Sequence, residues 1–496
     1  MLAHKMNLHI PYNLCQRLIQ TNSIIANQAY TSDKTFAVMD PATDKCVANV
    51  CSVDNQGIQL ALESAQLAFE QLKAMPTQTR SELLMRWYQL VIDNTDALAE
   101  IMTLEQGKPL AEARGEVAYG AEFIRWFAEE AKRSYGQIIP SNNQHQRLST
   151  IKQPVGVVLG VTPWNFPIAM ITRKVAPAIA AGCSFILKPS ELTPLSALAL
   201  AHLAIEAGFP SGALNVVLTQ DAPYVVEQLL SDSRVKKVTF TGSTQVGKVL
   251  LQHAAASVKR TSMELGGNAP FIVFDSAAIS KAISGLMASK FRNAGQTCVA
   301  TNRVLVAESI YSTFVAHLLA EVVQLKVGSG FDPANHVGPL ITLSAKQRLI
   351  ATVDQAIAQG GLFLFGEAEF EQAKQQADNF FPVVVLGNIT PKMAIYHQEL
   401  FGPVVLLSTF ESEAQALAMA NETDYGLAAY FYTENINQMQ RVSEGLDFGM
   451  VGINEGLISN PIAPFGGVKH SGIGREGGQM GLDEYLQVKY LCLNIN

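Results

Sequence analysis

The chain has 496 residues, 48% of them hydrophobic and 16% charged, with a formal net charge of −7. That length allows about two to four domains, and the composition supplies ample material for large cores. The acidic balance, with no Lys/Arg block along any face, excludes nucleic acid and anionic membrane as main partners.

In chain order, the N-terminal apolar residues are interrupted by His4, Lys5, Asn7 and His9, so no signal peptide is read there. Residues 57–75 and 81–104 have helical apolar spacing, and a further helix is predicted from about Glu112 to Ser134. The pattern then changes. VGVVLGV (155–161) is a short β-branched run of the kind that forms a buried parallel strand. The uncharged stretch Gln153 to Thr172 is about long enough to span a bilayer, but Pro154, Pro163, Pro167 and Asn165 break it. Helix 175–182, strand SFILK (184–188), helix 194–207, strand ALNVVL (213–218), helix 222–231, strand KVTFTG (237–242) and helix 244–255 follow. Such alternation predicts a doubly wound parallel sheet. It resumes after Glu264 with strand 270–274, helix 277–292, strand 304–309, helices 311–325 and 344–359, and strand 382–387, a second α/β domain.

The expected organisation is a Rossmann-type α/β domain from 1–132 and 152–263 and a second α/β domain from 264–468, whose C-terminal end is free to pack on the first. Residues 133–151 and 482–496 read as separate strands that pair with each other or with another subunit, hence a homodimer or homotetramer. Cys15, Cys46, Cys51, Cys183, Cys298 and Cys492 form no Cys-x-x-Cys pair, and the nine histidines lack metal-like spacing. No disulfide framework and no metal is expected, and a reducing cytoplasm fits.

Two motif matches fail on chemistry. GSTQVGKV (242–249) approaches a Walker A loop, but Val249 stands where Ser or Thr must bind Mg²⁺. GIGREG (472–477) matches G-x-G-x-x-G, yet no strand-like run precedes it and too little chain follows for a βαβ unit. It reads as a Gly-rich connection.

Three segments carry polar residues that packing alone does not call for: TPWNFP (162–167), MELGGNAP (263–270) and NAGQTC (293–298); QELFGP (398–403) and PFGG (464–467) join them. In this order and spacing, the chain resembles the aldehyde dehydrogenase superfamily from about residue 30 to about 490, which implies that the Rossmann-type domain is the cofactor domain and the second the catalytic domain. The resemblance implies that Cys298 is the nucleophile, Asn165 the oxyanion donor and Glu264 the general base that hydrolyses the thioester. A nearby helix N-terminus or the cationic nicotinamide would favour the thiolate.

Cofactor contacts carry over to Trp164, Lys188, Ser190, Glu191, Gly242, Ser243, Leu265, Glu399 and Phe401. Glu191 accepts from a free ribose 2′-hydroxyl and repels a 2′-phosphate, so NAD is expected over NADP. Gly242 and Ser243 open a predicted helix, where backbone N–H groups favour a pyrophosphate. Arg173, Arg292 and Ser459 resemble the carboxylate-binding residues of semialdehyde dehydrogenases, because guanidinium grips a carboxylate bidentately. The implied substrate is succinate semialdehyde, as in 4-aminobutyrate breakdown. Glutarate semialdehyde, one methylene longer, stays open, as does a broad-specificity enzyme. A catalytically silent relative and an enzyme passing its acyl group to coenzyme A are the rival readings; Cys298, Asn165 and Glu264 together argue against both. Ala300 stands where several relatives carry a second cysteine, so no internal redox switch of that kind is expected.

Overall fold

The computed structural model describes residues 17–495; the segment carrying His4, Lys5, Asn7, His9 and Cys15 lies outside them. Two sheets organise the chain. The first has eight strands, in the order 472–473, 260–264, 235–241, 157–161, 184–188, 214–216, 23–25 and 28–30. Its five central strands are parallel, and both edges are finished by antiparallel strands. Strand Val157–Val161 is wholly buried, as a two-face-covered parallel strand must be. Gly160 is required within it, since a Cβ there would lie 2.2 Å from the Phe185 ring.

From Val157–Val161 the chain winds outward through 184–188 and 214–216, then returns to lay 235–241 on the other side of 157–161. Strand order therefore reverses between Val157–Val161 and Val235–Thr241. At such a switch point the loops leaving the carboxyl ends diverge and open a crevice for ligand.

The second sheet has seven strands, in the order 362–365, 384–387, 404–410, 301–307, 269–273, 428–432 and 450–453. All are parallel except the first. Each sheet has its own apolar core. The link between them is short: strand Arg260–Glu264 ends, and Ala269–Val273 begins after Leu265, Gly266, Gly267 and Asn268.

The terminal strands form a third sheet. Gln146–Pro154 pairs with Leu486–Asn494 along its length, from Leu486 opposite Pro154 to Asn494 opposite Gln146. Ile138–Ile139 completes it. The strand runs past the expected boundary at 151.

One predicted element needs correction. The 81–104 stretch is not one helix but parts of two, Thr77–Asp93 and Thr95–Gln106. Asn94 breaks it: its side-chain amide donates to Leu90 O at 2.7 Å, and the backbone leaves the helical region at φ −109°, ψ 20°. A short amide side chain competes with the helix for its own backbone. No helix among the described residues is long and apolar enough to cross a membrane.

Candidate active site

The crevice predicted by topology is present. A cavity of about 470 Å³ is lined by Trp164 and Asn165 after one switch-point strand, and by Gly242 and Ser243 after the other. Leu265 and Cys298 line it too, with Glu399 and Phe401 from the approach to strand Val404–Phe410. It thus lies where the carboxyl ends of the first sheet meet the amino ends of the second.

Its walls suit a dinucleotide. The helix Thr244–Ala255 points its N-terminus at the cavity, where first-turn N–H groups lack intrahelical partners. Ser243 caps it, accepting from Val246 N. Leu265 packs on Gly247, where a Cβ would come within 2.5 Å of it. Trp164 meets Phe401 edge to face, with centroids 5.6 Å apart. Phe401 is held at φ +53°, a conformation a bulky residue adopts only when its surroundings impose it. Glu399 accepts from Gly267 N at 2.9 Å; burial pushes its carboxyl up to about 7. Lys188, buried at the end of its strand, pairs with the half-exposed Glu191 at 3.0 Å. Ser190, next to that pair, turns its hydroxyl inward to accept from Leu192 N. Arg348 and Thr352 of the helix Leu343–Ala358 also line the cavity.

Cys298 follows a tight turn rather than opening a helix. Burial drives its thiol up to about 12; the Arg173 and Arg292 guanidiniums oppose that rise, while Glu399 and Glu264 add to it. Cys298 lies between the 292–295 turn and strand Thr301–Ala307, and it shares the cavity with Gly242 and Ser243 at the start of the helix Thr244–Ala255.

Asn165 is buried and directed. Its Nδ2 donates to Gln296 O at 3.0 Å, which leaves its second N–H for a ligand. Its backbone carbonyl accepts from Lys108 Nζ at 2.8 Å and from Asn293 Nδ2 at 2.9 Å.

Glu264 ends its strand outside the lining of the cavity. Oε1 lies 2.9 Å from where a Cβ on Gly466 would stand, and Oε2 is buried with no hydrogen-bond partner. Burial first, then the Glu476 carboxylate, hold its carboxyl well above the usual carboxylate range.

The arginines occupy a separate region. Arg173 is buried, ion-paired with Glu476 through Nε and stacked over Phe465 at 4.5 Å; its Nη2 is buried without a hydrogen-bond partner. Arg292 lies 5.1 Å over the Phe166 ring, and none of the salt bridges among the described residues involves it. Both act electrostatically on Tyr119, and Ser459 stands near its hydroxyl. The structure thus brings Arg173, Arg292 and Ser459 together around Tyr119 and Phe166, outside the lining of the nucleotide-sized cavity.

Several residues of this neighbourhood escape sequence reasoning. Glu476 sits in the glycine-rich GIGREG connection and ties down both Arg173 and Lys174. Glu116 pairs with Lys108 and accepts from Ile168 N and Ala169 N at the start of the Arg173 helix. Only Lys174 carries a signal, as a second cation inside an otherwise apolar helix.

A doubly wound sheet with a nucleotide-sized crevice at its switch point, walled on one side by a cysteine and a buried amide, defines a dinucleotide-dependent oxidoreductase of two α/β units. The pattern of the aldehyde dehydrogenase family matches residues 28–491, and the chain belongs to that family. It is accordingly an NAD(P)-dependent oxidoreductase acting on aldehydes. The chain is 48% identical over 483 residues to the mitochondrial succinate-semialdehyde dehydrogenase of Oryza sativa subsp. japonica, covering 97% of this chain and 90% of the relative. It is 47% identical to the glutarate-semialdehyde dehydrogenase of Pseudomonas putida, over 93% of this chain and 95% of that one. The crystal structure of succinate-semialdehyde dehydrogenase from Burkholderia pseudomallei superposes with a TM-score of 0.94 at 45% identity, over 99% of this chain and all of that one.

Proposed function

We propose that the protein oxidises succinate semialdehyde to succinate through a thioester on Cys298, with NAD preferred over NADP. The observation that carries the substrate is the paired guanidiniums. Arg173, though ion-paired with Glu476, keeps a buried Nη2 without an acceptor, and the half-buried Arg292 stands over an aromatic ring in no salt bridge among the described residues. A buried N–H without an acceptor is costly, and a distal carboxylate between the two guanidiniums satisfies it and gives Arg292 a counter-ion. The Ser459–Tyr119 hydroxyls supply further donors.

The residues do the following. The Cys298 thiol gives its proton to solvent water, and the thiolate attacks the carbonyl carbon, whose π electrons move to oxygen. The free N–H of Asn165 meets that alkoxide. Bound NAD(P)⁺ supplies the two-electron oxidant, held by the Thr244 helix N-terminus, the Glu399 carboxylate and the Lys188–Glu191 pair beside Ser190, with Trp164, Leu265 and Phe401 as apolar walls. Glu264 then takes a proton from the water that adds to the thioester carbon, the C–S bond breaks to release the thiolate, and that proton passes from Glu264 to the sulfur to restore the thiol. For this step the Glu264 carboxyl must leave its buried position by Gly466 and ionise. Arg348, on the cavity wall, adds a cation for the pyrophosphate.

The Glu191 carboxylate supports NAD, since it accepts from a 2′-hydroxyl and repels a 2′-phosphate. The terminal three-stranded sheet supports self-association. Leu486–Asn494 is exposed after its first residue, with Val488, Tyr490 and Leu493 more than half exposed, an apolar surface that a second copy would cover. We place the enzyme in a reducing cytoplasm, where thiols such as Cys298 stay free.

The test is a steady-state comparison of succinate semialdehyde, glutarate semialdehyde, an uncharged aliphatic aldehyde and betaine aldehyde, each with NAD⁺ and NADP⁺. The highest kcat/KM is expected for succinate semialdehyde with NAD⁺. A win for glutarate semialdehyde moves the assignment by one methylene, a difference worth about 1–3 kcal/mol. A win for the uncharged or cationic aldehyde refutes the arginine clamp.

A further inference from the structure

Between the helix Ile279–Phe291 and Cys298 the chain makes an unusual turn. Asn293, Ala294 and Gly295 all have positive φ, at 53°, 55° and 74°. Glycine suits that region; asparagine tolerates it and alanine resists it. The turn is therefore held from outside. Glu112 of the helix Leu110–Glu130 accepts from Asn293 N at 2.7 Å, and Gln106 Nε2 donates to Asn293 Oδ1 at 2.8 Å. The Asn293 side-chain amide spends both its protons on the active site: one on Asn165 O at 2.9 Å and one on Gln296 O at 3.3 Å. Gln296 O also accepts from the Asn165 side chain. One buried amide thus ties the loop bearing the oxyanion donor to the loop bearing the nucleophile, two residues before the sulfur.

We propose that Asn293, anchored by Glu112, is a positioning residue that sets the Asn165 amide relative to the Cys298 sulfur; this rests on the acyl-transfer reading above. Asn293 reaches no cavity wall and touches neither cofactor nor substrate in that reading. It acts through Asn165.

The test compares Asn293→Gly, Glu112→Ala, Glu112→Gln and Asn165→Ala, with the Asn165→Ala/Asn293→Gly double variant. The readouts are the first-turnover rate of NADH formation, the NADH dissociation constant from fluorescence titration, and the thermal midpoint. A misplacement of about 1 Å costs on the order of a hundredfold in rate. Asn293→Gly is expected to slow the first turnover about tenfold to a hundredfold, with NADH affinity within about twofold of the parent. Glycine accepts φ 53° without strain, so the variant folds, with its thermal midpoint lowered by the lost buried bonds to Gln106, Asn165 and Gln296, and rates are read well below that midpoint. Glu112→Ala slows the same step about fivefold, and Glu112→Gln, which keeps a carbonyl acceptor, restores it. In the Asn165→Ala background, Asn293→Gly adds less than about threefold, since coupled residues are non-additive. An Asn293→Gly enzyme at parental rate, or the same loss repeated in full without Asn165, overturns the positioning role and leaves the acyl-transfer reading intact. A parental rate for Asn165→Ala overturns both.

Discussion

Gly267 lies where the two sheets join, and adding one methyl group there probes the whole site. A Cβ on Gly267 would stand 2.2 Å from Cys298 O, with Leu427 Cβ at 3.6 Å behind it. Ordinary contact begins near 3.4 Å, so the nucleophile's own carbonyl must retreat by about 1 Å. Backbone cannot swing aside as a flexible side chain can. Overpacking of this kind costs about 1–3 kcal/mol of stability, which a chain with a large apolar core on each main sheet tolerates. The catalytic cost is larger in proportion: about 1 Å at the nucleophile is worth on the order of a hundredfold, close to 2.7 kcal/mol of barrier. Gly267→Ala is therefore expected to remain folded and to bind NADH, while its first-turnover rate falls about a hundredfold. Circular dichroism, NADH fluorescence and rapid-quench kinetics measure the three quantities. A variant within about threefold of the parental rate would refute the reasoning, because it would mean that the Cys298 backbone need not stay where it is.

Arg292→Ala should raise KM for succinate semialdehyde at least about tenfold and leave an uncharged aldehyde within about twofold, measured by steady-state kinetics; equal losses on both contradict the clamp. Ionised, Glu399 offers a second accepting oxygen beside the one bonded to Gly267 N, which protonation turns into a donor, and burial has brought its carboxyl up to about 7. Cofactor affinity should therefore strengthen as pH rises through about 7 and weaken below it, a dependence that Glu399→Gln flattens in an NADH titration across pH 6–8. Glu191→Ser should lower the kcat/KM ratio of NAD⁺ to NADP⁺ about tenfold or more, by removing a carboxylate that repels the 2′-phosphate; an unchanged ratio places cofactor choice elsewhere.

The parallel core of the first sheet was legible because its strands are short β-branched runs punctuated by helices, as in Val157–Val161 and Ser184–Lys188. The break at Asn94 was not, because helical apolar spacing continues across it and one side-chain hydrogen bond decides the matter. The strands Val404–Phe410 and Ala428–Tyr432 also escape, since a short buried apolar run has no period that separates strand from helix. In the site, Cys298, Asn165 and Glu264 stood out through their motifs. The motifs could not foretell that the Glu264 carboxyl turns toward Gly466, nor that Arg173 shares its charge with Glu476. Those facts depend on which distant segments fold back onto the helix Ala169–Ala181. Nothing in the sequence sets Glu112 and Glu116 apart from the other charges of their helix; tertiary packing makes them partners of the nucleophile and oxyanion loops.

The central claim is that the acyl group passes through sulfur at position 298. In a Glu264→Gln variant, which should form NADH in one burst and then stall, succinate semialdehyde and NAD⁺ can be mixed, quenched in acid and analysed by intact mass and peptide mapping. A succinyl adduct on the peptide containing Cys298, in amount equal to the NADH burst, is the predicted result. An NADH burst with no adduct on that peptide, or with the adduct on another residue, would contradict the account.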